Sequence, residues 1–349
     1  MVNCGRIVYV DSMKGIAILL MVMGHVIAWQ FPNPNEILND SPRSAMFLFR
    51  FIYSFHMPLL MFCSGLFALR IKDYSLKNVG KAIWKRFLTL IVPFFCAGLI
   101  QNIIKPNQLF DYWFLWMLFQ FIVVVLLIDW LCSFIPKYGQ ILSTISIVVI
   151  SLSVHLFYHK FYFLEHKPLI AVDHWRFFLF FCMGVICARY DLCTKWLSKN
   201  WVYSLALLVF GFLTYWCTIM GNHIPKQSIT WFLIPISAIV ACVYLFKEGL
   251  ANNQSRSLMW LQDIGRHSLE IYIIHFFFLF RIYPIGEFVL EQANTDGGGR
   301  TIFFVQATAS LVASVIIIAL CYLVMNIINK SKILSQMLLG RKSEMKNEQ

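Results

Sequence analysis

The stretch DSMKGIAILLMVMGHV, residues 11–26, is apolar enough to cross a membrane, yet it carries Asp11, Lys14 and His25. At 3.6 residues per turn, Lys14 and His25 are about three turns apart, so they share one helix face and lie about 16 Å apart along its axis. Asp11 lies near the same stripe. Ionisable groups aligned inside a span predict a functional site. The structural alternative is a snorkelling lysine and a packed histidine.

The composition is that of a membrane protein. The 349 residues are 59% hydrophobic and only 13% charged, with a mean hydropathy of +0.69, whereas a soluble domain carries about 25% charged residues. The ten cysteines fall mostly in apolar runs and form no CxxC pair, so we interpret them as small packing residues and predict neither disulfides nor a metal site. The sequence therefore predicts an all-α, polytopic integral membrane protein.

Apolar runs of about 20 residues mark the expected spans, and about ten are found. They cover approximately residues 10–31, 45–69, 87–104, 112–135, 140–158, 170–189, 200–220, 229–247, 267–286 and 301–328. We predict a membrane domain over residues 1–329 and a basic cytoplasmic tail over residues 330–349.

The distribution of Lys and Arg predicts the orientation. With the N-terminus inside, the inner segments hold 19 of the 29 cations, the outer segments hold 7, and three lie within spans. The positive-inside rule then places both termini in the cytoplasm. This distribution also accounts for most of the net charge of +12, so no nucleic-acid partner is needed.

Two further stretches near the N-terminus carry polar groups. In FIYSFHMPLLMFCSG, residues 51–65, His56 is about mid-span, and Pro58 leaves an upstream carbonyl without its helical donor. A kink there makes room for a ligand, although a satisfied histidine beside a simple kink is the alternative. In KAIWKRFLTLIVPF, residues 81–94, Lys85 and Arg86 form either a phosphate clamp or an ordinary positive-inside anchor.

Later in the chain, GRHSLEIYIIH, residues 265–275, places Ser268, Tyr272 and His275 on one polar stripe of a helix. Interhelical hydrogen bonding is the structural alternative for this stripe. His155 and His159 have the i, i+4 spacing of metal ligands, but no accompanying Glu motif, so we assign them to an interfacial surface.

Taken together, these stretches resemble the membrane-bound acyltransferase type 3 family. The opening, RIVYVDSMKGIAILLMVMGH, has that family's basic residue, ten residues and then a histidine, with Lys14 and His25 in those places. SFHMPLLMFCSG resembles the second-helix motif of the fucose 4-O-acetylase-like branch of carbohydrate O-acetyltransferases. WKRFLTLIVPF, YWFLWMLF and IGRHSLEIYIIH are similar to later family landmarks in the right order. The resemblance runs from about residue 6 to about residue 328.

The resemblance implies a ten-helix enzyme of the plasma membrane, as in a bacterial inner membrane. Such an enzyme takes an acyl group, usually acetyl, from cytoplasmic acyl-CoA and passes it to a hydroxyl of a carbohydrate or lipid-linked glycan. Acetyl-CoA is then a co-substrate, membrane lipid is the surrounding partner, and no metal is required. The acceptor sugar, its hydroxyl position, acetyl against succinyl, and the oligomeric state are left open.

In this reading His25 is the general base that takes the acceptor's proton, or else a covalent acyl relay. Lys14 and Arg86, with Lys85, neutralise the CoA phosphates, and Asp11 holds Lys14 in place. The remaining catalytic candidates, as orienting groups or oxyanion donors, are His56, Tyr272 and His275. The candidates for binding sugar hydroxyls, chosen by their place near the outer end of the sixth span, are Asp173, His174 and Arg176.

A proton-coupled transporter or flippase for a glycolipid or polyol is the alternative, because buried ionisable residues in several spans suit a carrier as well. The spacing of Lys14 and His25, joined to a cytoplasmic basic cluster, favours the acyl-CoA enzyme.

Overall fold

The computed structural model describes residues 7–30, 47–68, 73–104, 112–135, 137–157, 172–216, 229–252, 255–280, 283–293 and 298–341. Within these ranges every regular element is a helix and no strand occurs, as the sequence predicts.

The α-helices follow the apolar runs of the sequence. In chain order they are α1 (Val8–Ala28), α2 (Phe47–Gly65), α3 (Leu76–Arg86), α4 (Val92–Ile104), α5 (Trp113–Cys132), α6 (Gly139–Phe157), α7 (Phe178–Tyr190), α8 (Leu192–Lys195), α9 (Asn200–Thr214), α10 (Ile229–Tyr244), α11 (Arg256–Arg266), α12 (Ser268–Ile274), α13 (Tyr283–Ala293), α14 (Gly298–Ile328) and α15 (Lys332–Leu339). Short π-helical turns lie at Phe87–Ile91 and Leu245–Gly249, and 3₁₀ turns lie at Val172–Phe177 and His275–Phe278.

In the described part of the chain, seven helical segments are long and apolar enough to cross a membrane, which makes this a multi-pass membrane protein. An eighth results if Ser268–Phe278 and Tyr283–Val289 form one broken span. The seven are Val8–Ala28, Phe47–Gly65, Leu76–Ile104, Trp113–Cys132, Gly139–Phe157, Phe232–Gly249 and Thr301–Ile328. Where we predicted the sixth and seventh spans, the described helices α7 and α9 are shorter, at 13 and 15 residues. The count of ten and the cytoplasmic termini stay predictions.

The chain divides into two compact units. The first comprises Met1–Leu60 and Asp191–Tyr322, and so contains α1, most of α2, α8–α13 and most of α14. The second comprises Met61–Tyr190 and Leu323–Gln349, with α3–α7 and α15.

In the first unit, α1 and α11 cross at a pair of glycines. A Cβ added to Gly15 would lie 2.0 Å from the carbonyl oxygen of Leu261, and one added to Gly265 would lie 1.8 Å from the carbonyl oxygen of Asp11. Since real Cβ atoms do not approach oxygen so closely, both positions require glycine for the backbones to meet. Small residues at such crossings let membrane helices pack closely.

The second unit contains a similar crossing, between the end of α2 and α7. A Cβ on Gly65 would meet the carbonyl oxygen of Phe181 at 2.1 Å, and one on Gly184 would meet that of Phe62 at 2.1 Å. The surrounding core is aromatic. Phe121 packs against the rings of Phe178 and Phe181, with centroids 5.0 and 5.8 Å apart.

The π-helical turn between α3 and α4 has a local cause. Pro93, at the start of α4, has no N–H to give to the carbonyl of Thr89 one turn earlier. Val92 instead donates to Phe87, which is the longer π step. The segment we predicted as a tail forms the short helix α15, and the division at residue 329 stays a prediction.

Candidate active site

Helix α1 carries the first three predicted site residues on one unbroken helix, Val8–Ala28. Asp11 is buried, whereas Lys14 and His25 are half-buried. Because the helix has no proline and no interruption, the rise of 1.5 Å per residue keeps Lys14 and His25 about 16 Å apart along its axis. One face of α1 therefore carries charged groups near the N-terminal end of the helix and the imidazole of His25 about three turns further along.

Three aromatic rings surround the imidazole of His25, all within the first unit. The ring centroid of His275 lies 5.3 Å away, that of Phe276 lies 5.2 Å away, and that of Tyr53 lies 6.4 Å away with its ring nearly perpendicular. His56 joins this group through Tyr53, since their centroids are 4.9 Å apart. We call His25, His56, His275 and Tyr53 the histidine cluster.

The backbone fixes the tautomers of two of these histidines. His56 Nδ1 lies 2.8 Å from the carbonyl oxygen of Ile52, and His275 Nδ1 lies 2.8 Å from that of Tyr272. A carbonyl can only accept, so each Nδ1 carries the hydrogen and donates it. In the neutral ring Nε2 is then a lone-pair acceptor. The Nε2 of His275 is buried and has no hydrogen-bond partner in the described structure.

Tyr272 lies beside this group. It is 3% exposed, and its ring centroid is 6.0 Å from that of His275. The structure therefore brings the four predicted catalytic residues, His25, His56, Tyr272 and His275, into one neighbourhood of the first unit. It does so because α12 and its 3₁₀ extension turn the polar stripe toward α1.

Tyr53 and Gly24 are contributors that the sequence analysis missed. A Cβ on Gly24 would lie 2.8 Å from Cε2 of Tyr53, so the glycine makes room for that ring beside His25. The available signal was spacing, since Tyr53 precedes His56 by three residues and therefore shares its helix face.

The predicted phosphate-binding residues of the basic cluster lie in the second unit. Lys85 is exposed at the end of α3, and Arg86 is half-buried with its Nη2 3.4 Å from the carbonyl oxygen of Phe67. Lys14 and Asp11 belong to the first unit.

The predicted sugar-binding residues also lie in the second unit, on the 3₁₀ turn before α7. The ring of His174 stacks on Trp113 with centroids 4.0 Å apart, and Arg176 Nη1 lies 3.8 Å from Asp173 Oδ2. The guanidinium of Arg176 is also 5.0 Å from the ring centroid of Phe177. An aromatic platform beside paired charges is suited to a polar, ring-shaped ligand.

Comparison with known proteins decides the family. A family model described as an acyltransferase domain matches residues 7–324. The chain belongs to the acyltransferase 3 family. That match spans both units and all the predicted site residues.

Two curated relatives of this acyltransferase 3 chain are each named nodulation protein NolL. The one from Mesorhizobium japonicum is 26% identical over 226 residues, which is 59% of this chain and 54% of the relative. The one from Sinorhizobium fredii is 27% identical over 230 residues, which is 57% of this chain and 60% of the relative. The chain thus aligns with little more than half the length of these relatives. No solved structure matches the chain.

The chain also has a second cluster of buried polar groups that the sequence analysis did not single out. In the second unit, Arg189 Nη2 lies 2.5 and 2.6 Å from the two carboxylate oxygens of Asp129. Ser143 donates a short hydrogen bond to the same carboxylate, and Arg189 Nη1 donates to Ser143 at 3.1 Å and Thr144 at 3.2 Å. The Tyr74 hydroxyl donates to Asp129 at 3.1 Å. We call these five residues the Asp129 network.

The Asp129 network is saturated with hydrogen bonds. Burial, together with the neighbouring Asp129 carboxylate, raises the pKa of Tyr74 to about 12, so this phenol stays a donor at neutral pH. In sequence the signal was a carboxylate inside an apolar span, which by itself predicts a partner of opposite charge. Within the described residues, no group of three or more His, Cys, Asp or Glu side chains is placed to hold a metal ion.

Proposed function

We propose that this chain is an integral-membrane O-acyltransferase that moves an acyl group, acetyl by family, from cytoplasmic acyl-CoA to a hydroxyl of a cell-surface or lipid-linked carbohydrate. Its general base is His25. The membership of the acyltransferase 3 family supports the reaction class. The proposed location is the bacterial inner membrane, with both termini in the cytoplasm.

The observation that carries this proposal is the environment of His25. Its imidazole is half-buried among aromatic rings, and it makes no hydrogen bond with the described residues, whereas the neighbouring His56 and His275 are tied to the backbone. A base must have a nitrogen free for the proton that it takes. His56 and His275 also keep a free Nε2, but they are only 2% and 0% exposed. The half-buried His25 is therefore the histidine of the cluster that an acceptor hydroxyl can reach most readily.

The reaction then runs through a tetrahedral intermediate. His25 takes the proton of the acceptor hydroxyl as its oxygen attacks the thioester carbonyl. The intermediate collapses, the carbon–sulfur bond breaks, and the protonated His25 returns the proton to the leaving thiolate. The products are the ester and free CoA, so all atoms and protons are accounted for.

The charged end of α1 suits the donor. In the proposal, Lys14 binds a phosphate of acyl-CoA, and buried Asp11, one turn earlier, orients the ammonium. The extended pantetheine arm can then reach along the helix, since about 16 Å separates Lys14 from His25. In the second unit, we propose Lys85 and Arg86 as further phosphate-binding residues.

The proposed sugar-binding residues lie on the 3₁₀ turn of the second unit. There the sugar hydroxyls bind Asp173 and Arg176, and the sugar ring packs on the platform formed by His174 and Trp113. Aromatic faces beside charged groups are a common way to bind polar rings.

The experiment uses the full chain in proteoliposomes supplied with acetyl-CoA and cell-envelope glycan, and measures both free CoA and acetylated glycan. The wild type is expected to produce both, and His25→Ala neither, with normal insertion. His155→Ala is the matched control, because His155 is a buried span histidine of the second unit. Acetylation by His25→Ala at the wild-type rate would refute the base assignment. Movement of glycan without CoA release would instead establish a carrier.

A further inference from the structure

Tyr53 is held rigidly beside the proposed base. On α2 its ring stacks on Phe49, with centroids 4.0 Å apart and planes at 27°. It also forms a T-shaped contact with His56, with centroids 4.9 Å apart and planes at 72°. It is nearly perpendicular to the ring of His25, with centroids 6.4 Å apart and planes at 83°. Stacked and edge-to-face contacts of this kind fix the plane of a ring. Gly24 of α1 leaves the space that the ring occupies.

The hydroxyl of Tyr53, by contrast, has no hydrogen-bond partner among the described residues. Tyr53 is 39% exposed, and none of the described residues forms a hydrogen bond with its phenolic oxygen. A fully buried tyrosine normally finds a protein partner for its O–H, whereas at 39% exposure the Tyr53 hydroxyl stays accessible to a ligand. A ring that is fixed on several sides, with its donor left open beside an imidazole, is arranged for a ligand.

Acyl transfer also needs a donor for the oxyanion that develops on the carbonyl oxygen. Neutral His56 and His275 each donate their single N–H to the backbone, so they present lone pairs to a substrate. His25, as the base, must accept a proton from the acceptor. Apart from the base His25 itself, the cluster as defined therefore has one uncommitted group that can donate to an oxyanion, and that group is the Tyr53 hydroxyl.

We propose that Tyr53 is a catalytic residue whose O–H donates a hydrogen bond to the oxyanion of the tetrahedral intermediate. This inference rests on the proposed function. As the acceptor oxygen bonds to the thioester carbon, the carbonyl π electrons move to oxygen, and Tyr53 stabilises that negative charge without giving up its proton. When the carbon–sulfur bond breaks, the carbonyl re-forms and the hydrogen bond weakens.

The decisive variant is Tyr53→Phe, since it keeps every ring contact and removes only the hydroxyl. Loss of one oxyanion donor lowers kcat by about 10² to 10³-fold. We expect a fall of that size in CoA release by the reconstituted full chain, while KM for acetyl-CoA and the melting temperature stay at their wild-type values. A purely structural role would lower the melting temperature or raise KM.

Three companion variants make the result unambiguous. Tyr203→Phe is the matched control, because Tyr203 is also a stacked tyrosine of the first unit, paired with Tyr244 at 4.2 Å. His25→Ala distinguishes a failure of the Tyr53 proposal from a failure of the proposed function.

If His25→Ala is inactive and Tyr53→Phe keeps the wild-type kcat, the oxyanion role is overturned and the proposed function stands. If His25→Ala is fully active, the base assignment within the proposed function fails, and if the wild type releases no CoA, the proposed function itself fails. A loss of kcat in Tyr272→Phe but not in Tyr53→Phe also overturns the assignment and gives the role to Tyr272.

Discussion

Each unit of the molecule buries a polar cluster among apolar helices, but the two clusters are built in opposite ways. In the Asp129 network, both carboxylate oxygens and the facing guanidinium nitrogens have partners within 3.2 Å. In the histidine cluster, His25 and the Tyr53 hydroxyl have none in the described structure, and the buried Nε2 of His275 has none either.

This difference in hydrogen bonding indicates that the Asp129 network contributes to stability and the histidine cluster to activity. A buried polar group without a partner, such as the Nε2 of His275, costs about 1–3 kcal/mol, so it persists only where something else requires it. A saturated network has no capacity left for a ligand, and its natural role is to hold helices together. We therefore expect that damage to the Asp129 network lowers stability, and that damage to the histidine cluster lowers activity.

The largest effect on stability is expected from Arg189→Met. Asp129 is 6% exposed, and removal of its partner leaves a buried, uncompensated charge. Breaking a buried pair in this way costs about 3–5 kcal/mol. Thermal or denaturant unfolding of the purified protein in detergent measures the change.

The double variant Asp129→Leu with Arg189→Met is the control for that result. Because it removes both charges, it should recover much of the lost stability. A double variant no more stable than Arg189→Met alone would show that the ion pair is not the cause.

A smaller loss of stability is expected from Gly265→Ala. This change disturbs the crossing of α1 and α11 and leaves the histidines of the first unit unchanged. The new methyl would lie 1.8 Å from the carbonyl oxygen of Asp11, so α1 and α11 must move apart. Overpacking of this kind costs about 1–3 kcal/mol. Gly211→Ala is the matched control, because nothing lies within 4 Å of a Cβ there. Equal melting temperatures for the two variants would contradict the close crossing.

Tyr74→Phe should cost about 1 kcal/mol, since it removes one hydrogen bond of 3.1 Å from a carboxylate that keeps its other partners. The unfolding midpoint should fall slightly, and kcat for CoA release should not change. A loss of kcat with an unchanged midpoint would assign the Asp129 network a role in the reaction.

The smallest effect on stability is expected from Gly24→Ala. The added methyl meets the Tyr53 ring at 2.8 Å and Cγ2 of Ile52 at 3.3 Å, which are both side-chain contacts. Stability should change by less than about 1 kcal/mol, because a small shift of these two side chains relieves the contacts and no backbone lies in the way. Activity should fall several-fold, since Tyr53 is displaced from His25. Activity assays and melting curves on the same preparation separate the two quantities.

The sequence predicts those features that depend on a single helix or on composition. The shared face of Lys14 and His25 follows from helical periodicity alone, and the all-α membrane class follows from composition. The contact between His25 and Tyr53 depends on how α1 and α2 pack, which a single-helix pattern does not encode. The pairing of Asp129 with Arg189, 60 residues apart in the chain, is hidden for the same reason.

The most direct test compares two single variants, His25→Ala and Arg189→Met, by the rate of CoA release per folded molecule and by melting temperature. The account predicts that His25→Ala keeps its melting temperature and loses CoA release. It also predicts that Arg189→Met melts well below the wild type, while its folded fraction still turns over acetyl-CoA. CoA release at the wild-type rate by folded His25→Ala would contradict the account.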